Sequence, residues 1–197
     1  DANEVAQLID NIESGEKLTK QQKVWHERNK ARDPAIVVTL LGTGVRVTEL
    51  VGLDLSDLDF DNGAMRVIRK GGNEDIVYFG EETEEMLRNY LDERMKMTPA
   101  PGHENALFIS QNNTRITVRS VERLVKKYAS TATVKKITPH KLRSTYGTAL
   151  YQETGDIYLV ADVLGHKNVN TTRKHYAAMK EENKRKAANI VQLREKE

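Results

Sequence analysis

No cysteine occurs anywhere in this chain. Disulfides, zinc–thiolate sites and a cysteine nucleophile are therefore excluded, and the composition fits a reducing cytoplasm. No apolar run approaches the ~20 residues that cross a bilayer. The longest, residues 35–41, suits a buried helix. No secretory signal opens the chain. It begins with Asp1 rather than Met, so a fragment of a longer protein is expected. Net charge is only +2, too small for a whole-chain field that would announce nucleic acid. Internal repeats and low-complexity stretches are lacking, and no acidic triad clusters to suggest a metal.

What is present is a soluble, globular composition, 38% hydrophobic and 30% charged over 197 residues. That length gives one ordinary domain with a core, with or without a small appendage. Basic residues gather at Lys126-Lys127, Lys135-Lys136, Lys141 and Arg143, and Lys167, Arg173 and Lys174. By itself this is a solvated mixed surface.

Periodicity predicts a mainly helical α+β chain. An amphipathic helix opens near Glu4 and stops near Gly15, and a polar helix covers 20–31. Asp33-Pro34 signals a helix start, Asp as N-cap and Pro at the first helical position. That helix runs into Gly42-Thr43-Gly44, and a short one follows over 46–51. Strands at 58–60, 65–69 and 75–79 are separated by turns at Asp61-Asn62-Gly63 and at 70–73, giving a small three-stranded antiparallel sheet. Helices are expected again over 81–95 and 118–129, from Thr138-Pro139 to near Gly155, and over 156–164. A last helix is capped by Asn170 and carries Tyr176. Residues 98–104 read as a loop and 106–109 as an extended segment.

Taken singly, the motifs are weak. Gly42-Thr43-Gly44 resembles a phosphate-cradling loop but lacks the P-loop lysine, so a helix break is the plainer reading. His140 and Arg143 lie three apart in the first turn of a helix that starts at Pro139. They share a face there, and backbone N–H groups favour an anion. Taken alone, a polar helix end on the surface is the plainer reading. Leu164-Gly165-His166, then Thr171-Thr172 and Tyr176, fits a histidine at a helix stop followed by a tyrosine. It also fits a DNA-binding helix–turn–helix over 156–176. His26, His103 and His175 have no evident partner. Tyr146, Tyr151 and Tyr158 rival Tyr176 as nucleophiles, although Tyr146 and Leu150 repeat at helical spacing and suit packing. Trp25 is expected to pack.

In order, these elements resemble the tyrosine recombinase (phage-integrase-like) family, over roughly residues 1 to 190. The stretch Gly42-Thr43-Gly44-Val45-Arg46-Val47-Thr48-Glu49-Leu50 places the family's first catalytic arginine on Arg46. The turn Arg69-Lys70-Gly71-Gly72 matches its lysine turn, at Lys70. His140-Lys141-Leu142-Arg143 matches its His-x-x-Arg box, Leu164-Gly165-His166 the next box, and Tyr176 takes the nucleophile's place. Here the lysine turn continues Asn73-Glu74-Asp75 where basic residues are usual, and Tyr176 lies ten residues after His166, one more than is common.

The resemblance implies a catalytic domain over 1–197 with a helical tail over 177–197, and an amino-terminal DNA-clamping domain missing from the fragment. It implies DNA strand cleavage and rejoining through a 3′-phosphotyrosyl link, with no cofactor and no metal. Arg46 and Arg143 would grip the phosphate with fixed guanidinium forks. His140 would be base or proton relay, Lys70 would protonate the leaving 5′-hydroxyl, and His166 would hydrogen-bond a phosphate oxygen. Glu49 is expected to orient Arg46 by a salt bridge. The implied partners are double-stranded DNA sites, further protomers in a tetrameric synapse and accessory DNA-bending proteins, with no membrane. Ala187, Ala188, Ile190, Val191 and Leu193 give the tail a small apolar end that could fold back or dock on a neighbour. A type IB topoisomerase uses a similar residue set and stays open as an alternative, as does a non-catalytic helix–turn–helix module.

Overall fold

Residues 2–133 and 135–187 are described by a computed structural model. The chain divides into two compact units, one up to Ser144 and one from Thr145.

In the first unit, α1 (Ala2–Ser14), α2 (Lys20–Arg28), α3 (Arg32–Thr43) and the short α4 (Val47–Val51) precede the sheet. Thr19 and Gln22 form a reciprocal capping box that starts α2. The next start lies upstream of the expected one: α3 begins at Arg32, not at an Asp33 cap. Asp33 is fully buried, and its carboxylate is taken by Arg32 and by the Tyr128 hydroxyl at 2.9 Å, which leaves it unavailable for capping. Gly44, at φ +69°, closes α3 in the left-handed conformation that glycine adopts without a Cβ penalty. Gly42 stays inside α3, where a Cβ would come within 2.5 Å of the Thr83 hydroxyl. Of the Gly-Thr-Gly stretch, one glycine thus ends a helix and the other permits a close approach.

A 3-10 turn (Leu55–Asp57) leads to β1 (Leu58–Asp59), β2 (Ala64–Ile68) and β3 (Glu74–Tyr78), antiparallel in the order β1-β2-β3. Leu58 pairs with Met65 and Val67 with Asp75. The period of two puts Met65, Val67 and Val77 in the core and Arg66, Ile68, Ile76 and Tyr78 outside. After the sheet come α5 (Glu81–Arg94) and α6 (Val118–Ala132). The expected extended segment at 106–109 forms no strand of its own. It is held by single bridges, Asp54 to Ala106 and Ile109 to Arg115.

Helix α3 packs on α5 and α1 on α6. Between them lie Ile36, Leu40, Leu50, Leu53, Leu87, Leu107 and Phe108, all essentially inaccessible. Truncating one such leucine to alanine costs about 2–5 kcal/mol. Tyr90 stacks on Phe108 with centroids 5.2 Å apart, donates to the Leu107 carbonyl and accepts from the Ile109 amide, so its hydroxyl is satisfied where it is buried. Trp25 lies outside the buried core: it is 38% exposed, with the Arg28 guanidinium over its ring. His26, for which the sequence suggests no partner, is buried and hydrogen-bonds the Tyr128 hydroxyl at 3.0 Å. His103 accepts from the Arg115 amide.

Helix α7 (Pro139–Thr154) gives its first turns to the first unit and the rest to the second. Thr138 accepts from the Lys141 amide, Pro139 sits at the first helical position, and Gly155 at φ +64° follows the end. In the second unit α8 (Ile157–Leu164) is capped by Asp156, which accepts from the Tyr158 and Leu159 amides. Helix α9 (Val169–His175) is capped by Asn168, not Asn170, because the Asn168 side chain reaches the Asn170 amide. A separate helix α10 (Ala177–Ala187) follows. Tyr151, Val160, Leu164 and Tyr176 form this unit's small core, with Tyr146 and Leu150 packed against it. Of the expected apolar tail end, Ala188, Ile190, Val191 and Leu193 lie outside the described residues. Among the described residues, no helix is long and apolar enough to cross a membrane.

Candidate active site

Four of the six candidate residues lie in the first unit. Arg46 precedes α4, and Glu49, one turn into that helix, reaches back to it. One carboxylate oxygen accepts from the Arg46 amide at 2.8 Å and the other from its guanidinium at 3.0 Å. This fixes both the backbone and the side chain of Arg46, which keeps 35% of its side-chain surface open to solvent. Glu49 is almost fully buried, and it accepts a further bond at 2.9 Å from Arg69. The orienting role expected of Glu49 is therefore present, and it extends to a second cation.

Arg69 ends the β2 side of the hairpin. Its Nε donates to Asp75 at 3.1 Å on the opposite strand. The next residue, Lys70, is exposed at the corner of the turn. Gly72 donates to the Arg69 carbonyl at 3.0 Å, and Arg69 donates to the Asn73 carbonyl at 2.7 Å. Gly71, at φ +90°, occupies the third turn position, where a type II turn needs positive φ.

Arg143 is 5% exposed and points back to the loop that carries Arg46. Its guanidinium donates to the Gly44 carbonyl at 2.5 Å. His140 lies one turn earlier on the same helix, exposed to solvent. Three sequence-distant segments thus set Arg46, Arg69 with Lys70, and Arg143 around one buried carboxylate and one carbonyl. The cations outnumber the carboxylates Glu49 and Asp75, so the cluster favours an anion.

The second unit holds His166 and Tyr176. Gly165 at φ +67° ends α8, and the His166 amide reaches back to the Ala161 carbonyl at 2.8 Å, the pattern of a Schellman stop. This fixes the backbone of His166. Its ring Nδ1 lies 2.5 Å from the hydroxyl of Thr172, which is fully buried. Tyr176 closes α9 and is not an interior helical residue, since its φ of −106° and ψ of 14° fall between α9 and α10. Its ring is buried beside Tyr151, with centroids 5.5 Å apart, and against the exposed His175 at 4.8 Å. Gly147 makes room for it, since a Cβ there would collide with the Tyr176 hydroxyl. Tyr158, a rival nucleophile, is 60% exposed and accepts a bond from Arg173 at 2.6 Å. For Tyr146, burial pushes the phenol above the ordinary tyrosine range.

Sequence reasoning missed Arg69, Thr172 and Gly147. Arg69 stood inside a quoted motif but read as a strand end. Thr172 read only as a first-turn residue of the last helix. Among the described residues, no three His, Asp or Glu side chains gather so as to hold a metal ion.

The sequence profile described as the phage integrase family matches residues 1–183, and the chain belongs to that family. Among curated proteins it is 42% identical over 148 residues to tyrosine recombinase XerC of Corynebacterium glutamicum, covering 75% of this chain and 47% of the relative. It is 35% identical over 193 residues to tyrosine recombinase XerS of Streptococcus thermophilus, covering 95% of this chain and 54% of the relative. The chain thus spans about half the length of these relatives. Among solved structures, the crystal structure of XerA recombinase superposes with a TM-score of 0.77 at 30% identity, covering 94% of this chain and 64% of that one. A XerH site-specific recombinase bound to a palindromic difH substrate, in a post-cleavage complex, superposes with a TM-score of 0.73 at 24% identity. It covers 95% of this chain and 51% of that one, and shows the fold alone.

Proposed function

We propose that this chain is the catalytic region of a site-specific DNA recombinase that cuts and rejoins strands through Tyr176. The carrying observation is the clustering of Arg46, Lys70's turn and Arg143 around Glu49 and the Gly44 carbonyl. A phosphodiester is anionic, and its displacement needs charge neutralisation, a nucleophile and an acid for the leaving oxygen.

In this reading Arg46 and Arg143 hold the non-bridging oxygens. The Tyr176 oxygen attacks phosphorus, and its proton passes to His140, whose imidazole lies in the first turn of α7 and is open to solvent. The new Tyr–O–P bond forms as the P–O5′ bond breaks, and Lys70 gives its proton to the departing 5′-oxygen. His166, held by its stop motif and by Thr172, donates to a phosphate oxygen. Attack of another 5′-hydroxyl on the phosphotyrosyl link reverses each transfer, so the bond energy is kept and no nucleotide triphosphate is needed. Rejoining to a new partner requires two duplexes and four cuts. Four protomers therefore meet on DNA, with α10 and the residues after it as the element available for a neighbour. Accessory DNA-bending proteins fit such an assembly. The substrate places the work in the cytoplasm, on chromosomal or mobile-element DNA.

A nicked suicide duplex carrying the cognate site tests this. A covalent protein–DNA band is expected for the wild type and is expected to vanish in Tyr176→Phe while DNA binding persists. An adduct that survives in Tyr176→Phe would move the nucleophile elsewhere, Tyr158 being the next tested. An adduct without strand transfer to a second duplex would indicate topoisomerase-like relaxation. Binding with no adduct at all would indicate a helix–turn–helix module.

A further inference from the structure

Lys70 occupies a poorly supported place. It is exposed at the corner of a hairpin whose next two residues are Gly71 and Gly72, both at positive φ. A Cβ built on Gly72 would meet nothing within 4 Å, so no side-chain packing braces the turn from that side. Strand pairing ends at Ile68 and Glu74, leaving five residues to turn the chain. An acid must nonetheless sit within hydrogen-bond reach of its leaving group, and a displacement of ~1 Å can cost about 100-fold in rate.

The residue that meets this need is Arg69. Its side chain is 8% exposed, and its fork spans two anchors. Nη1 reaches Glu49 at 2.9 Å, on the helix that fixes Arg46, and Nε reaches Asp75 at 3.1 Å, on the other arm of the hairpin. Its own amide and carbonyl close the turn at both ends. One guanidinium therefore ties both strands of the hairpin to α4, one peptide away from Lys70. A lysine at 69 would hold one anchor as a point charge and could not span both with a fixed fork.

We infer that Arg69 is a positioning residue that holds the Lys70 turn in register with the Arg46 phosphate clamp. The inference rests on the reading of Lys70 as the acid, and it assigns Arg69 no contact with DNA.

The test compares cleavage of an ordinary duplex with one whose scissile 5′-oxygen is replaced by sulfur. With sulfur, the Tyr–O–P bond forms and the P–S bond breaks to release a thiolate that needs no proton. Covalent adduct formation is followed for wild type, Lys70→Ala, Arg69→Met, Arg69→Lys and Asp75→Asn in the full chain, with a thermal melt of each. Arg69→Met is expected to slow ordinary cleavage on the order of 100-fold and to return to within a few-fold of wild type on the sulfur substrate, as Lys70→Ala does. Arg69→Lys and Asp75→Asn should show smaller defects, also rescued. If Arg69→Met is folded too weakly to assay, Asp75→Asn carries the comparison, because it cuts one anchor and leaves the Glu49 pair intact. Rescue of Lys70→Ala without rescue of the Arg69 and Asp75 variants would overturn the inference and leave the acid in place. Failure to rescue Lys70→Ala would instead remove Lys70 as the acid, and with it the reason for positioning the turn. Wild-type rates in Arg69→Met on the ordinary duplex would also overturn it.

Discussion

Replacing Glu49 by glutamine isolates the link on which the first unit's cation cluster depends. The change keeps shape and volume and removes one charge. In the native protein one Glu49 oxygen takes the Arg46 amide and Arg69, and the other takes the Arg46 guanidinium. A glutamine carbonyl can keep the first pair. Its NH₂ then faces the Arg46 guanidinium, donor against donor, and the two cations lose the carboxylate they share, with Asp75 left as counter-charge to Arg69. Removing one partner of a buried ion pair costs about 3–5 kcal/mol. Arg46 keeps 35% of its side chain in water and can turn outward, which puts the expected cost near the lower end, ~3 kcal/mol. For a domain of this size each kcal/mol lowers Tm by roughly 2–4 °C, so Glu49→Gln should melt about 6–12 °C below wild type. Calorimetry with a urea titration measures this. A second Arg69→Gln change should then cost much less in Glu49→Gln than in wild type, since contacting residues couple. A Tm drop under about 2 °C, or additive single and double variants, would refute the view that Glu49 holds the cluster.

Arg46→Lys and Arg143→Lys keep the charge but lose the planar fork, and each should slow adduct formation on the order of 100-fold or more; a suicide-substrate time course with wild-type rates would remove that residue from the phosphate site. Gly147→Ala should lower the stability of the second unit by about 1–3 kcal/mol, because the new methyl meets the Tyr176 hydroxyl and lies 3.1 Å from Leu164; hydrogen exchange across 145–187 reads it, and higher protection from helix propensity alone would contradict the packing. The Tyr128 phenol is pushed well above the ordinary tyrosine range by burial and then by the Asp33 carboxylate beside it. Its contribution to stability is therefore complete below the unfolded value of ~10 and is lost as pH rises past it. Lys127, whose ammonium is pushed below the usual lysine range by burial, works in the opposite sense just under its own unfolded value. Tyr128→Phe should flatten the alkaline fall in urea-unfolding free energy, and an unchanged slope would exclude Tyr128 as its source.

Much of the local structure around the candidate residues was legible because it has short-range causes. Pro139 and Gly155 bracket α7 as read, and Gly165 places His166 through backbone bonds that glycine makes available. The sheet was found within a residue at each end, since alternation and two turn signals agree. What escaped the sequence depends on partners far along the chain. Asp33 looked like a cap because nothing local shows that Tyr128, 95 residues on, takes its carboxylate. Asn168 displaced Asn170 as a cap because both satisfy the same local pattern, and geometry decides. Trp25 was expected to pack by residue type, and what covers it in part is the Arg28 side chain of its own helix. Arg69 pairs with Asp75 inside its own hairpin, but its tie to Glu49, twenty residues earlier, carries no local signal.

Arg46, Glu49, Arg69 and Asp75 form a chain of alternating charge in which each inner member serves two neighbours. Inheritance acts on such a chain differently from how it acts on isolated pairs. Loss of Asp75 frees half of Arg69's fork, and loss of Arg69 leaves Glu49 buried against Arg46 alone. A neutral substitution at one position therefore changes which residues are acceptable at the other three. Among descendants of this sequence, positions 49, 69 and 75 should drift in compensating steps, while position 46, which the proposed function ties also to the phosphate, should stay fixed. Grafting the 69–75 hairpin into another member of the family would succeed only if its recipient brings a carboxylate at the place of Glu49.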